Sequence, residues 1–513
     1  MTRTRRAVFG VLTNHASAVV MAIAGFVLVP IVLRYVGRED YGLWATIGQI
    51  LGYLALFDLG VGSAVVRRAA QLRENNDPLA VNRMVSTAVT LYSVLGGVFL
   101  ATGIAMTLVL PRWSVIPAAR SSAAVTLFAV MIAYTAVSFP LRVAASTLIG
   151  YQRMATVNVL NLVGSLLTIV VAVLLLRFGV GVLALPIGSA VAGMTAAIAA
   201  LVVLRVVIPC LRIRWRYVSK VEALELFSWS WQLFLNNIAV VIIYQTDNLV
   251  IAGGAGLEAV TTYALTSKLP LYAMPLIFAL SDSCLPAAVE LCEQGNRDRL
   301  RSVYLRVLQV TSAAAFGIAT IAWIFNDSFM RLWVGEQNYG GSLLTVVFGL
   351  ILVTRVLNHA ASIVIIGSGK LRGVVYMSLT EAALNLALSL WLVRAYGILG
   401  VAVGTAIAGV LTSNWYVIHV VCRELRLSVW AYLARGPFPA LLAGVPTAII
   451  TLAILRWYSA SGWGRLFIVG AGSAALYLMF YALVGLRGSD RRQIFSRVRT
   501  TGRAIQTRVQ EAF

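Results

Sequence analysis

The sequence predicts an all-α polytopic membrane protein of about fourteen transmembrane helices. These form two six-helix lobes related by a pseudo-two-fold axis along the membrane normal, followed by two C-terminal helices. Three observations carry that expectation. Of 513 residues, 60% are hydrophobic and only 12% charged, against about 25% charged in a soluble domain, and the mean hydropathy is +0.87. At roughly 20 apolar residues per crossing, fourteen crossings take about 280 residues, close to what the chain offers. The basic residues gather in the short connections between apolar runs. Such a chain cannot cover a water-facing surface, which excludes a soluble enzyme, a secreted disulfide scaffold and a disordered protein.

Along the chain, the first six spans fall at 8–33, 42–66, 85–110, 122–150, 155–176 and 181–208, giving an N-terminal lobe of 1–208. The apolar run behind the basic residues 1–6 reaches Leu33, too long for a cleaved signal, and reads as an uncleaved first span. A basic connection over 209–225 (Arg212, Arg214, Arg216, Lys220) is the expected cytoplasmic linker. The second lobe, 226–421, holds spans at 226–252, 259–287, 304–325, 343–368, 373–393 and 397–421. Two more follow at 438–457 and 463–486, within 438–486. The tail, 487–513, places Ile494, Val498, Ile505, Val509 and Phe513 among seven arginines and reads either as a basic amphipathic helix on the inner leaflet or as a solvated tail.

Orientation follows from Lys and Arg. With both termini on one side, that side collects 29 of the 41 basic residues and the opposite side 9, the other three (Arg142, Lys268, Arg355) lying inside spans. The bias puts both termini in the cytoplasm. The net charge of +22 is therefore topological, and no nucleic-acid partner is expected. Four cysteines without a CxxC pair and three scattered histidines assemble no metal set, so no metal and no cofactor are expected.

The two halves share a pattern. Asn14-His15 opens the first span and Asn236-Asn237 the seventh, each running to a glycine turn (Gly37, Gly256) and then a tyrosine (Tyr41, Tyr263). The asparagine and tyrosine pairs share an offset of 222 and the glycines one of 219. Parallel repeats of six spans flanking a central cavity are a transporter plan.

The segment Tyr41-Gly-Leu-Trp-Ala, with Phe57-Asp-Leu-Gly-Val-Gly-Ser-Ala-Val-Val-Arg67-Arg after it, resembles the second helix of lipid-linked oligosaccharide (O-antigen) flippases. These form the polysaccharide-transporter branch of the multidrug/oligosaccharidyl-lipid/polysaccharide exporter superfamily. Gln245-Thr-Asp-Asn-Leu-Val-Ile-Ala-Gly, with Tyr263-Ala-Leu-Thr-Ser-Lys-Leu, is similar to that family's start of the second lobe. The resemblance implies translocation of polyprenyl-pyrophosphate-linked repeat units across the inner membrane for exopolysaccharide or lipopolysaccharide synthesis, by alternating access. The partners it implies are the lipid-linked oligosaccharide, membrane lipids, a polysaccharide polymerase and a chain-length regulator.

Charges inside spans are costly and mark function or pairing. Arg142 (after Pro140), Lys268 and Arg355 are candidate ligands of a pyrophosphate head group, for which arginine offers forked donors and lysine a point charge. The competing reading is that each neutralises a carboxylate, Asp247 for Lys268. Asp247, Glu381 and Asp58 are candidate ion-coupling or ion-pair residues, with Asp58 expected to bridge toward Arg67 and Arg68. Asp282 reads as snorkelling at a span end. Asn14, His15, Asn236 and Asn237 serve either a head group or helix contacts, and tryptophans such as Trp113, Trp231, Trp333 and Trp463 read as interfacial anchors. Gly367-Ser-Gly-Lys370 lacks the spacing of a phosphate loop, and no catalytic residue is expected. Alternative functions are a cation-coupled multidrug exporter, a lipid II flippase or a membrane polymerase or ligase. The last is disfavoured by short outer connections.

Overall fold

The computed structural model describes residues 3–75, 77–110, 116–458 and 461–485, with side chains described in those ranges except at 3–19, 21–22, 55, 74–75, 228–236 and 371. The tail helix expected after residue 486, Trp113, and the side chains of Asn14, His15, Trp231 and Asn236 lie outside the described residues. The chain opens with α1 (Arg3–Leu54), α2 (Val61–Asn75), α3 (Pro78–Val109), α4 (Ser121–Gly150), α5 (Met154–Arg177) and α6 (Ala184–Val207). It continues through α7 (Lys220–Gln245), α8 (Asp247–Ala255), α9 (Leu257–Thr266), α10 (Lys268–Leu271), α11 (Met274–Asp282), α12 (Leu285–Glu293), α13 (Arg297–Trp333) and α14 (Ser342–Gly367). Then come α15 (Leu371–Gly409), one π-helical turn (Val410–Asn414), α16 (Trp415–Glu424), α17 (Val429–Arg435), α18 (Pro437–Trp457) and α19 (Trp463–Val484). No strand occurs among the described residues.

Eleven helices, or twelve with one bent pair counted as a span, are long and apolar enough to cross a membrane among the described residues. Among the described residues, each of the fourteen expected spans is nevertheless largely helical. α1 carries one and the start of the next across Gly37 (φ 79, ψ −179), as does α15 across Gly397 (φ 55, ψ −134). A positive φ strains any residue with a Cβ, so glycine sits at each break. The eighth span is built from short pieces because Pro275 and Pro286 stand in the first turns of α11 and α12, where a missing N–H does no harm but a continued helix is blocked.

Two compact units emerge. The first comprises the chain up to Lys268, with Trp333–Gly340 and Leu371–Ser413. Inside it α5 packs on α6 and α1, α3 and α6 pack on α4, and α15 packs on α7 and α8. The repeat is visible there: Gly37 and Gly256 (φ 88, ψ 170) adopt the same backbone conformation before the returning helix, and Tyr41 and Tyr263 are both buried. The two turns meet. Arg38 pairs with Glu258 at 3.2 Å, and Thr261 Oγ1 donates to the Arg38 carbonyl at 2.6 Å. Trp333, expected at an interface, is instead buried: its Nε1 donates to the Phe26 carbonyl at 2.7 Å with the rings edge-on. A buried indole needs a partner for its N–H, and α1 supplies one.

The second unit comprises Leu269–Leu332, Gly341–Lys370 and the chain from Asn414. Met274 and Ile277 of α11, Ala315 of α13 and Leu352, Val353 and Val356 of α14 form its apolar core. α18 and α19 close on α13, where Tyr477 Oη donates to the Ala440 carbonyl at 3.1 Å and Tyr481 Oη to the Gln309 carbonyl at 3.0 Å. Gly367-Ser-Gly-Lys370 ends α14 with Gly369 at positive φ, and Lys370 pairs with Glu424.

Close helix approach through small residues stands in for a hydrophobic force that lipid does not supply. At Gly42 an added Cβ would lie 1.9 Å from the Leu257 carbonyl oxygen, whereas at Gly97 nothing lies within 4 Å. Gly42→Leu is therefore expected to destabilise the purified protein by about 1–3 kcal/mol, read as a lower unfolding temperature in detergent, and Gly97→Ala to leave it unchanged.

Candidate functional site

α1 does not run smoothly into α2. A single 3-10 turn (Ala55–Asp58), Leu59 in the left-handed region (φ 51) and Gly60 (φ 77) break the path, with a bend of 43°. The break presents Asp58 to α3 and α4. Its Oδ1 accepts from Tyr92 Oη at 3.1 Å and from the Gly62 N–H at 3.4 Å, and its Oδ2 from Arg142 Nη1 at 3.1 Å. Arg142 follows Pro140 in α4, and its guanidinium lies 4.8 Å from the Phe139 ring centroid. Phe139 in turn packs on Tyr92 and Phe99. The expectation that Asp58 would bridge toward Arg67 and Arg68 is replaced by this pairing, 84 residues away in sequence. Arg68 instead reaches Glu222 at 2.6 Å and Glu225 at 3.3 Å.

The Asp58–Arg142 pair borders a cavity of about 440 Å³ that is also lined by Ser63, Ser146 and Asn237. The side chains of Arg142 and Asp58 are 40% and 29% exposed. Arginine has five N–H donors in a planar fork, so one bond to Asp58 leaves it able to bind a second anion from the cavity side. Asn237, read from sequence as a head-group or helix contact, reaches this cavity.

A second polar cluster lies elsewhere in the same unit. The helix breaks at Thr246 and restarts at Asp247 as α8. The Asp247 carboxylate accepts from Tyr263 Oη at 2.6 Å and from Thr405 Oγ1 at 3.3 Å. Asn385 Oδ1 accepts from Thr405 at 2.9 Å and from Ser389 at 3.1 Å. Asn385, Ser389, Thr405 and, one turn before Asn385 on α15, Glu381 are all buried. Gln49 of α1 accepts from the Asn248 N–H at 2.9 Å, and the Tyr53 hydroxyl hydrogen-bonds that of Thr246. The arrangement converges hard oxygen ligands, the donor type that suits a small cation, although no cluster of three or more His, Cys, Asp or Glu side chains occurs among the described residues.

The structure brings Asp58 and Arg142 together and centres a separate cluster on Asp247. Lys268, at the start of α10, is half-buried in the same unit, and Arg355, half-buried on α14, belongs to the second unit. Asp282, read from sequence as snorkelling, takes His359 at 2.8 Å, and the His359 ring stacks on Phe278 at 3.9 Å. The sequence signal for this pair is a histidine inside an apolar span.

The sequence matches the polysaccharide biosynthesis protein family over residues 8–292. No curated protein matches it. Among solved structures, the fold is similar to a lipid II flippase, MurJ, in an inward closed conformation (TM-score 0.68, 14% identity, covering 94% of this chain and 98% of that one). It is also similar to an inward-facing multidrug resistance MATE transporter of the MOP superfamily (TM-score 0.65, 14% identity, 81% of this chain and 96% of that one). A third is a MOP superfamily transporter from Pyrococcus furiosus described by the reversed polarity of its binding pocket (TM-score 0.54, 16% identity, 82% and 99%).

The Asp58–Arg142 bond is testable as a bond. Arg142→Gln and Asp58→Asn are each expected to lower stability by about 1 kcal/mol, and the double variant to recover part of the sum, a coupling of about 0.5–1 kcal/mol, measured by thermal unfolding in one detergent. The match over more than half of the chain and the span content make this a multi-pass membrane protein that belongs to the polysaccharide biosynthesis protein family, with a fold like that of the lipid II flippase and MATE structures.

Proposed function

We propose that the protein is a flippase carrying polyprenyl-pyrophosphate-linked oligosaccharide repeat units from the inner to the outer leaflet of the inner membrane, with both termini in the cytoplasm. The observation that carries this reading is a cavity of about 440 Å³ inside an apolar helical unit, with an arginine on its wall. Its size suits a pyrophosphate and the sugar next to it. The polyprenyl tail, which is apolar, stays in lipid. Arg142 is the head-group ligand. An incoming pyrophosphate carries more charge than Asp58 and offers two oxygens to the fork, so it competes with the carboxylate for the guanidinium. The same role is extended to Lys268 and, in the second unit, to Arg355.

Asp247, with Glu381 nearby, is the coupling site for a proton or small monovalent cation. Alternating access is supported by the MATE transporters of similar fold, which are described in inward-facing and outward-facing conformations. A polymerase and a chain-length regulator are the partners this reading requires downstream. A lipid II flippase shares the pyrophosphate chemistry, and only the sugar separates the two readings.

In cells, lipid-linked repeat units are expected to accumulate facing the cytoplasm when the chain is deleted and to clear when it returns, measured by leaflet accessibility of the oligosaccharide. Arg142→Gln should cut translocation about tenfold or more with folded protein retained, and Arg142→Lys should fall between. Full activity of Arg142→Gln overturns the site, and unchanged orientation on deletion overturns the substrate. In proteoliposomes, transport by the natural chain is expected to accelerate under an imposed sodium or proton gradient. Asp247→Asn and Thr405→Val are expected to abolish that acceleration, and an undiminished response in both variants overturns the coupling site.

A further inference from the structure

The connection between α6 and α7 is not a loose tether. Residues 211–214 form no helix, Arg214 is extended (φ −145, ψ 145), and α3 reads the backbone of this stretch with buried polar side chains. Asn82 Nδ2 donates to the Cys210 carbonyl at 3.3 Å, and Asn82 Oδ1 accepts from the Arg212 N–H at 2.7 Å. Ser86 Oγ accepts from the Arg214 N–H at 3.2 Å and Thr87 Oγ1 from the Ser219 N–H at 3.0 Å. The spacings agree: Asn82 and Ser86 are about one helical turn apart, roughly 6 Å, and alternate residues of an extended chain are separated by roughly 6.6 Å. Ser219 then caps α7 through the Glu222 N–H at 3.5 Å.

With its backbone fixed, the connection turns its charges outward. Arg212, Arg214, Arg216 and Lys220 are exposed, as is Arg205 at the end of α6, and no acidic residue lies between Arg205 and Lys220. The next carboxylates, Glu222 and Glu225, are held by Arg68. Trp215 projects among the arginines at 80% exposure. Arg216 donates to Tyr217 Oη at 2.9 Å, and that bond, with the fields of Arg216, Arg214 and Arg212, draws the Tyr217 phenol below its ordinary range. The level in the bilayer is set by the neighbours. Val202 and Val206 at the end of α6, and Val221 and Leu224 at the start of α7, are exposed apolar side chains on either side of the strip. Cations and a tryptophan between two lipid-facing helix ends lie at the boundary of hydrocarbon and water.

We propose that residues 212–220 form a built site for anionic phospholipid, in which Arg212, Arg214 and Arg216 hold lipid phosphates and Trp215 lies among the head groups. Charge complementarity selects the occupant, since clustered cations beside a span attract the anionic lipids of the cytoplasmic leaflet. The site is independent of the cargo cavity and of the transport reading.

The test uses the full chain in nanodiscs of phosphatidylcholine with and without phosphatidylglycerol, reading phosphatidylglycerol retained on the released protein by native mass spectrometry. Arg212→Gln/Arg214→Gln/Arg216→Gln is expected to retain it about tenfold less or lower. Arg297→Gln/Arg299→Gln/Arg301→Gln removes the same charge elsewhere and is expected to match the natural chain. Ser86→Ala/Thr87→Val, with every cation in place but the strap loosened, is expected to fall between. Equal retention by the first variant and the natural chain overturns the proposal, as does equal loss in the first two variants, which would make the effect one of net charge alone. If the triple variant does not fold, Arg214→Gln alone is measured against Arg299→Gln by the same criteria.

Discussion

A bilayer offers no water to a charge, and the first unit is arranged around that constraint. An arginine in mid-span is tolerated only with a partner or an aqueous cavity, and Arg142 has both. Asp58 is available to it because the chain gives up helix continuity between α1 and α2, with Leu59 and Gly60 in conformations a helix does not use. Tyr92 and the Gly62 N–H supply the other donors to that carboxylate. The break, the ion pair and the cavity are therefore one feature: restoring a continuous helix through Leu59 would withdraw Asp58 and leave the guanidinium without its protein partner.

The same constraint explains why polar groups here are gathered into clusters. Asp247, Tyr263, Thr405, Asn385 and Ser389 are linked by hydrogen bonds across α8, α9 and α15, while the buried Asn385 Nδ2 finds no partner among the described residues. Each bond made offsets part of the cost of burying these groups, and an orphaned donor costs more than a made bond returns. At the repeat-related turns Arg38 is answered by Glu258 and Thr262 on the partner turn.

The spans were legible because hydropathy and the placement of Lys and Arg are local properties. So were the glycine turns, since Gly37 and Gly256 recur at nearly the same offset as Tyr41 and Tyr263 and need the same positive φ. Which charge meets which was not legible. Sequence proximity offered Arg67 and Arg68 to Asp58, but residues nine and ten places on along a helix lie two to three turns away, and tertiary packing brought Arg142 instead. Asp282 with His359, and Trp333 against Phe26, were hidden for the same reason. A hydropathy profile registers that a tryptophan prefers an interface on average, and it cannot register that another helix offers this one a carbonyl.

Two clusters in one unit raise the question of how one would inform the other, and α1 answers it structurally. Its last turns carry Gln49 and Tyr53, which hold the Asn248 N–H and the Thr246 hydroxyl on either side of Asp247. Five residues after Tyr53, the same segment ends in Asp58, the partner of Arg142. A change in the break at Thr246, such as occupancy of Asp247 would bring, acts on Tyr53 directly and reaches Asp58 through little more than one helical turn. The far end of that turn is the left-handed Leu59 and Gly60, a junction that a rotation of the turn would reset. Coupling between sites needs a physical element with two arrangements that both sites bias. The end of α1 and the turn that follows it touch both clusters and terminate at the Leu59–Gly60 break, so they have the connections such an element requires.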